Sequence, residues 1–297
     1  MASISDKLKK EIKEKVKVTS NMLNKLKIEA KETYQILKEF ISQIEDEDLY
    51  VVKYKELAPF PIVLIHGYMS GEDCWKDYIP LFEQIGYKSD QNLFNFAFSS
   101  EEKPANGDII EYAKLLADTI EKIMKETKKE KVILVVHSMG GLISRYFIEK
   151  MGGAEKVHRL IMLGTPNRGS GPLPQMRKLF INLENKVELG LNEIKVLLGK
   201  DEEEKDLNLL GKAADMMKPG SEFLETLGYK ARPNFYLIAG IKGLPKILEI
   251  PNDGAVELKS AILDEMGENH IQKLKVNHFE LHKSLKVFNR MMEFIIE

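Results

Sequence analysis

From about residue 60 onward, short apolar runs alternate with longer stretches of helical spacing, and this alternation restricts the fold more than any other feature. The runs are "PIVLIHG" (Pro61–Gly67), "NLFNFAF" (Asn92–Phe98), "KVILVVH" (Lys131–His137), "RLIMLGT" (Arg159–Thr165) and "NFYLIAG" (Asn234–Gly240). They are nearly continuous in apolar residues, so as strands they need cover on both faces. Between them, residues 74–85, Asp108–Lys125 and Met139–Lys150 read as helices. In the second of these, Ile109, Tyr112, Leu116, Ile120 and Ile123 fall on one side. Strands alternating with helices predict an α/β fold: a mostly parallel sheet with helices on both faces. Between Pro166 and Pro233 the alternation stops, and stretches rich in Leu, Met and Lys take over. An insertion of that length is expected to form a helical cap over about residues 170–230.

Residues 1–48 are of a different kind. Val16, Leu23, Ala30, Leu37 and Ile44 recur every seven residues, with Thr19, Leu26, Thr33 and Phe40 three positions after the first four. That pattern predicts a charged amphipathic helical extension preceding a domain of residues 49–297. Its apolar stripe can pack on the chain's own domain, pair with a second copy in a homodimer, or rest weakly on a membrane surface. The lysines between Lys7 and Lys17 keep the last option open.

The net charge of −2 argues against a nucleic-acid partner. Cys74 is the only cysteine, so no disulfide forms within the chain and a Cys-based zinc site is not expected. There is no apolar core of a signal peptide and no apolar run long enough to span a bilayer, so a cytoplasmic location is expected.

The run "KVILVVHSMGG" drives a strand into Ser138 and follows it at once with Gly140 and Gly141. A serine hydroxyl is a weak nucleophile unless a base takes its proton. A sharp strand-to-helix turn presents such a serine at the strand ends, and small residues let strand and helix approach. The helix start also aims backbone N–H groups at the place where negative charge would develop. Val136 departs from the pattern, because a glycine is expected two residues before the serine. Upstream, His66-Gly67-Tyr68 follows the first strand, where an oxyanion loop belongs. Downstream, Asp253 in "PNDGAV" and His278 in "VNHFELH" supply an acid and a base in the expected order. His282 rivals His278 as base, while Asp264, Glu257 and Asp215 rival Asp253 as acid.

Five segments in this order, "VLIHGY", "VVHSMGGLISRYFI", "LGTPNRGS", "NDGAV" and "VNHFEL", resemble the α/β-hydrolase superfamily, specifically its bacterial lipase and esterase branch. "MMKPGSEFLETL" (Met216–Leu227) resembles a segment of the caps of such enzymes. The resemblance covers about residues 60–296. It implies Ser138 as nucleophile, His278 as general base and Asp253 as its orienting partner. It also implies an oxyanion hole made by the backbone N–H groups of Tyr68 and Met139. It implies no cofactor. A zinc cluster of the kind some relatives hold is not supported, since no histidine lies between His66 and His137. A calcium ion near Glu280 is a further option that occurs in other relatives. The expected activity is hydrolysis of carboxylic esters with an apolar acyl group, of the carboxylesterase or triacylglycerol lipase type. Two alternatives are acyl transfer or lipid deacylation on a membrane-bound substrate, and a non-catalytic protein that works through its helical extension.

Overall fold

A computed structural model describes residues 57–99, 104–170, 207–243 and 251–297. All of them belong to the unit Lys53–Glu297 into which the chain divides. The heptad stripe of residues 1–48 and the first part of the expected cap lie outside the described residues.

Six strands form one sheet: β1 (Ile62–Ile65), β2 (Leu93–Phe96), β3 (Val132–His137), β4 (Val157–Leu163), β5 (Phe235–Gly240) and β6 (Ile271–Leu274). Their order is β2-β1-β3-β4-β5-β6, and every neighbouring pair is parallel. The three strands β1, β3 and β5 are buried at every residue, as their unbroken apolar runs require. Because all strands run the same way, the loops at their carboxyl ends gather along one edge of the sheet. Every candidate site residue follows a strand or ends one.

The helices are α1 (Ile79–Gln84), α2 (Ile109–Thr127), α3 (Met139–Lys150), α4 (Leu207–Met216), α5 (Glu222–Leu227), α6 (Leu258–Ala261) and α7 (Leu285–Ile296). Asp108 caps α2 by accepting the Ile110 N–H at 2.8 Å. This helix buries Ile109, Ala113, Leu116, Ile120 and Ile123, while Tyr112 is half-buried. Against the other face of the sheet, α7 buries Phe288, whose ring meets Phe82 at 5.0 Å and Tyr78 at 5.3 Å.

One local reading changes. Residues 74–85 form two pieces, a 3-10 turn at Glu72–Trp75 and then α1. Pro80 lacks an N–H and clashes with a preceding turn, so a helix can hold it only in its first turn. Of the expected cap, residues 207–230 are described. Ala213, Met217, Phe223, Leu224 and Leu227 are buried in the same apolar cluster as Val136 and Leu142, and the Phe223 ring stacks on Tyr146 of α3 at 5.8 Å.

A buried cation braces this arrangement. Arg145 of α3 is fully buried and donates to Glu149 Oε1 (2.8 Å), Asn167 Oδ1 (3.2 Å) and the Gly228 carbonyl (2.7 Å). Asn167 in turn donates to the Ala261 carbonyl at 2.7 Å. A buried guanidinium is tolerable only when its donors are matched in this way. The network ties the loop after β4 to the segments that precede and follow β5.

Candidate active site

Ser138 occupies the single step between β3 and α3, with φ 53° and ψ −123°. Positive φ is uncommon for a side chain with a Cβ, so this conformation is strained. It is held from both sides. The Ser138 N–H still donates to the Leu163 carbonyl at 2.9 Å as the end of the ladder with β4, and its own carbonyl already accepts from the Gly141 N–H at 3.0 Å. Strand ends and helix begins within one residue.

The glycines are explained by contact. A Cβ on Gly140 would lie 2.7 Å from the His66 carbonyl oxygen and 2.8 Å from that of Ile65. One on Gly141 would overlap the Thr165 side chain. One on Gly67 would lie 2.9 Å from the Ser138 Cβ, so the loop after β1 runs directly against the serine. Val136, the departure from the expected pattern, is fully buried, paired with Ile65 on one side and Met162 on the other. It is a core residue.

Asp253 and His278 are brought together. Asp253 Oδ2 lies 2.8 Å from His278 Nδ1, and both residues are buried. The other carboxylate oxygen accepts the N–H groups of Ala255 (2.9 Å) and Val256 (2.7 Å). The His278 N–H donates to the Asp253 carbonyl at 2.9 Å. With Nδ1–H given to the carboxylate, the imidazole keeps Nε2 as its basic nitrogen. His137 adds a clamp: its Nε2–H donates to the His278 carbonyl at 3.0 Å. Gly164 links this pair to the serine. It directly follows Leu163, which holds the Ser138 N–H. A Cβ on Gly164 would lie 3.1 Å from both Asp253 Oδ2 and His278 Nδ1. His278 sits in a loop before a 3-10 turn at Glu280–His282, and α7 begins only at Leu285. The loop is pinned by the Tyr78 hydroxyl, which is shared between the carbonyls of Leu281 (3.0 Å) and Ser284 (2.9 Å).

The rival acids have other partners. Asp264 pairs with Arg168 (2.5 Å), Asp215 with Lys218 (2.6 Å) and Glu257 with Lys259 (3.1 Å). Arg168 also lies over the Tyr229 ring, 4.7 Å from its centroid. Glu280 pairs with Lys242 at 3.2 Å and accepts the Asn277 N–H at 2.7 Å, so it shapes the histidine loop. His158 and His270 are half-buried; His270 stacks on Tyr236 at 4.4 Å.

On the oxyanion side, the loop after β1 is fixed at both ends. His66 Nδ1–H donates to the Gly67 carbonyl (3.1 Å), its Nε2 faces the Ser99 hydroxyl (3.3 Å), and its ring stacks on Phe98 at 3.9 Å. Burial lowers the His66 pKa to about 4, so the ring is neutral. The Met69 N–H donates to the Ala105 carbonyl at 3.1 Å. Tyr68, between these anchors, packs half-buried on the core. Met139 is the first residue of α3, where backbone N–H groups have no carbonyl of their own helix to reach.

Behind the serine lies a group that sequence order conceals. Cys74, His137 and His282 are all buried, and the His137 ring lies 4.7 Å from the rings of both His278 and His282. Burial lowers the His282 pKa to about 4 and pushes the Cys74 thiol up to about 12. Of the described residues, these three form a group whose ligand atoms could share a metal ion.

The parallel sheet, the serine at its strand-to-helix step and the acid–histidine pair at the same edge define an α/β-hydrolase of the lipase and esterase type. Residues 63–218 match the family described as lecithin:cholesterol acyltransferase, and the chain belongs to that family. Two curated proteins of Arabidopsis thaliana are similar over shorter stretches. "Putative methylesterase 14, chloroplastic" is 31% identical over 38% of this chain and 31% of its own length. For "Putative methylesterase 11, chloroplastic" the identity is 33%, over 33% of this chain and 25% of its own length. This chain thus spans about a third or less of the curated relatives it matches. Among solved structures, the mature form of lipase BlEst2 from Bacillus licheniformis shares the fold. Its TM-score is 0.55 at 21% identity, over 84% of this chain and 96% of that one.

Proposed function

We propose that this chain is a serine hydrolase that cleaves carboxylic esters with an apolar acyl group, through Ser138, His278 and Asp253. The observation that carries the reading is the buried Asp253–His278 pair at the same sheet edge as the strained Ser138. His278 takes the Ser138 proton as the serine oxygen attacks the ester carbonyl. Asp253 holds the imidazole in the tautomer that makes Nε2 the proton acceptor and stabilises the imidazolium that forms. The backbone N–H groups of Tyr68 and Met139 receive the tetrahedral oxyanion, each contributing about 3 kcal/mol of transition-state stabilisation. His278 then protonates the leaving alcohol. Water, deprotonated by the same histidine, releases the acid from the acyl-enzyme.

The test is a p-nitrophenyl ester series from acetate to palmitate, combined with a fluorophosphonate probe. The series reads activity and acyl preference together, and the probe should label Ser138 alone. Retained turnover in Ser138→Ala, or labelling at another serine, would overturn the reading.

Membership of an acyltransferase family favours a second reading, in which an alcohol other than water takes the acyl group from the same acyl-enzyme. Adding a lipid alcohol in vesicles and measuring transferred ester against free acid separates the two. Residues 1–48 contain none of the candidate site residues. We assign them to a packing, self-association or membrane contact, which light scattering and vesicle binding of a truncated chain would distinguish.

A further inference from the structure

We propose that Cys74, His137 and His282 form a zinc site behind the candidate catalytic residues, a site that the chain's single cysteine gave no reason to expect. The three side chains come from separate loops at one sheet edge. Cys74 lies in the 3-10 turn after β1, His137 ends β3, and His282 lies in the 3-10 turn after His278. One ligand atom from each falls within 4.8 Å of the others, and all three residues are less than a tenth exposed.

A second observation concerns two of the nitrogens. His137 Nδ1 and His282 Nδ1 are shut off from solvent and have no hydrogen-bond partner, so the nearby thiol satisfies neither. Buried polar atoms in this state are rare and call for an explanation. For His137 the tautomer is fixed. Its Nε2–H is given to the His278 carbonyl at 3.0 Å, which leaves Nδ1 with an unprotonated lone pair. An imidazole that donates one nitrogen to a backbone carbonyl and keeps the other unprotonated has the usual tautomer of a metal-ligating histidine.

Two imidazoles and one thiolate suit zinc in softness and number, with a water oxygen completing the tetrahedron. Bonds of about 2.0–2.3 Å place ligand atoms of a shared zinc about 3.3–3.7 Å apart. The group therefore needs a contraction of about 1 Å, within the reach of small side-chain rotations. On binding, Cys74 gives its proton to solvent and the ion takes the thiolate. The ion would join three loops: the turn after the oxyanion segment, the residue before Ser138, and the loop of His278. It touches no reacting atom. Its role is to position the elbow and the histidine loop and to stabilise them together.

The test uses the full chain, stripped with a chelator and then given zinc or cobalt(II). One zinc per chain is expected, with a melting temperature about 5–10 °C higher at a hundredfold excess over the dissociation constant. Cobalt should produce a sulfur-to-metal charge-transfer band in the near ultraviolet. Since Cys74 is the only cysteine, such a band has one possible origin. Cys74→Ser should abolish the band, and His282→Asn should weaken binding at least tenfold. If either variant fails to fold, the cobalt band of the unaltered chain still decides. The proposal is overturned if neither ion raises the melting temperature and no band appears. It is overturned equally if Cys74→Ser and His282→Asn bind zinc as tightly as the unaltered chain. Either result would assign the two unpaired nitrogens to an internal water.

Discussion

Asp253 gives one carboxylate oxygen to His278 Nδ1 and the other to the N–H groups of Ala255 and Val256 in its own turn. Both faces of the acid are thus committed, one to the base and one to the loop that aims it. An amide cannot serve both, because it offers one acceptor and brings a donor toward N–H groups. Asp253→Asn is expected to lower kcat by about 10⁴ with little change in KM. Asp264→Asn, which removes only an exposed partner of Arg168, should stay within about twofold. Steady-state kinetics of both variants checks this, and equal losses would reassign the acid.

Gly164 combines φ +63° with contact on both members of that pair. Gly164→Ala adds the backbone cost of a left-handed residue, about 1–2 kcal/mol, to overpacking of about 1–3 kcal/mol. The new methyl would also lie 2.6 Å from Leu281 Cδ1. Urea unfolding should show the combined loss, and kcat should fall with it. Gly220→Ala is the control, because its φ is +75° and nothing lies within 4 Å. It should show the backbone cost alone and unchanged kinetics.

Val136 fills the core at the position where a glycine is expected in the motif. Val136→Gly should cost about 3 kcal/mol, from lost apolar burial and added chain freedom. Activity per folded molecule should remain within a few-fold. A variant both more stable and much more active would make the valine a source of strain.

His66 sets a pH dependence. Its folded pKa of about 4 lies below the ordinary imidazole value of 6.5, with burial as the main cause. Between those values the unfolded chain binds more protons than the folded one, so stability is full above pH 6.5 and declines as pH falls toward 4. The contribution lost is about 3 kcal/mol. Thermal melts across that window should show a shallower slope in His66→Asn, which is less stable at neutral pH but has no proton to gain.

Five strands were readable from their apolar runs, whereas β6 carries Gln272 and an exposed Lys273 and leaves no such run. The bounds of α3 were readable because Ser138 and the glycines punctuate its start. The loop around His278 was not, since "VNHFELH" has no period that separates a helix start from a 3-10 turn. Burial of Arg145 has no local signature, because its acceptors on Asn167 and Gly228 arrive from distant loops. The meeting of Cys74, His137 and His282 depends on sheet order, which no local pattern carries.

The strained backbone at Ser138 also bears on how this chain can change over time. A residue at φ 53°, ψ −123° holds about 1–3 kcal/mol that glycine would not have to supply. Substitution to glycine there would make the folded protein more durable while deleting its proposed nucleophile. Screening for thermal endurance alone would therefore favour an inert descendant at this position. On the proposed mechanism, serine at this position serves turnover against the direction in which stability pulls.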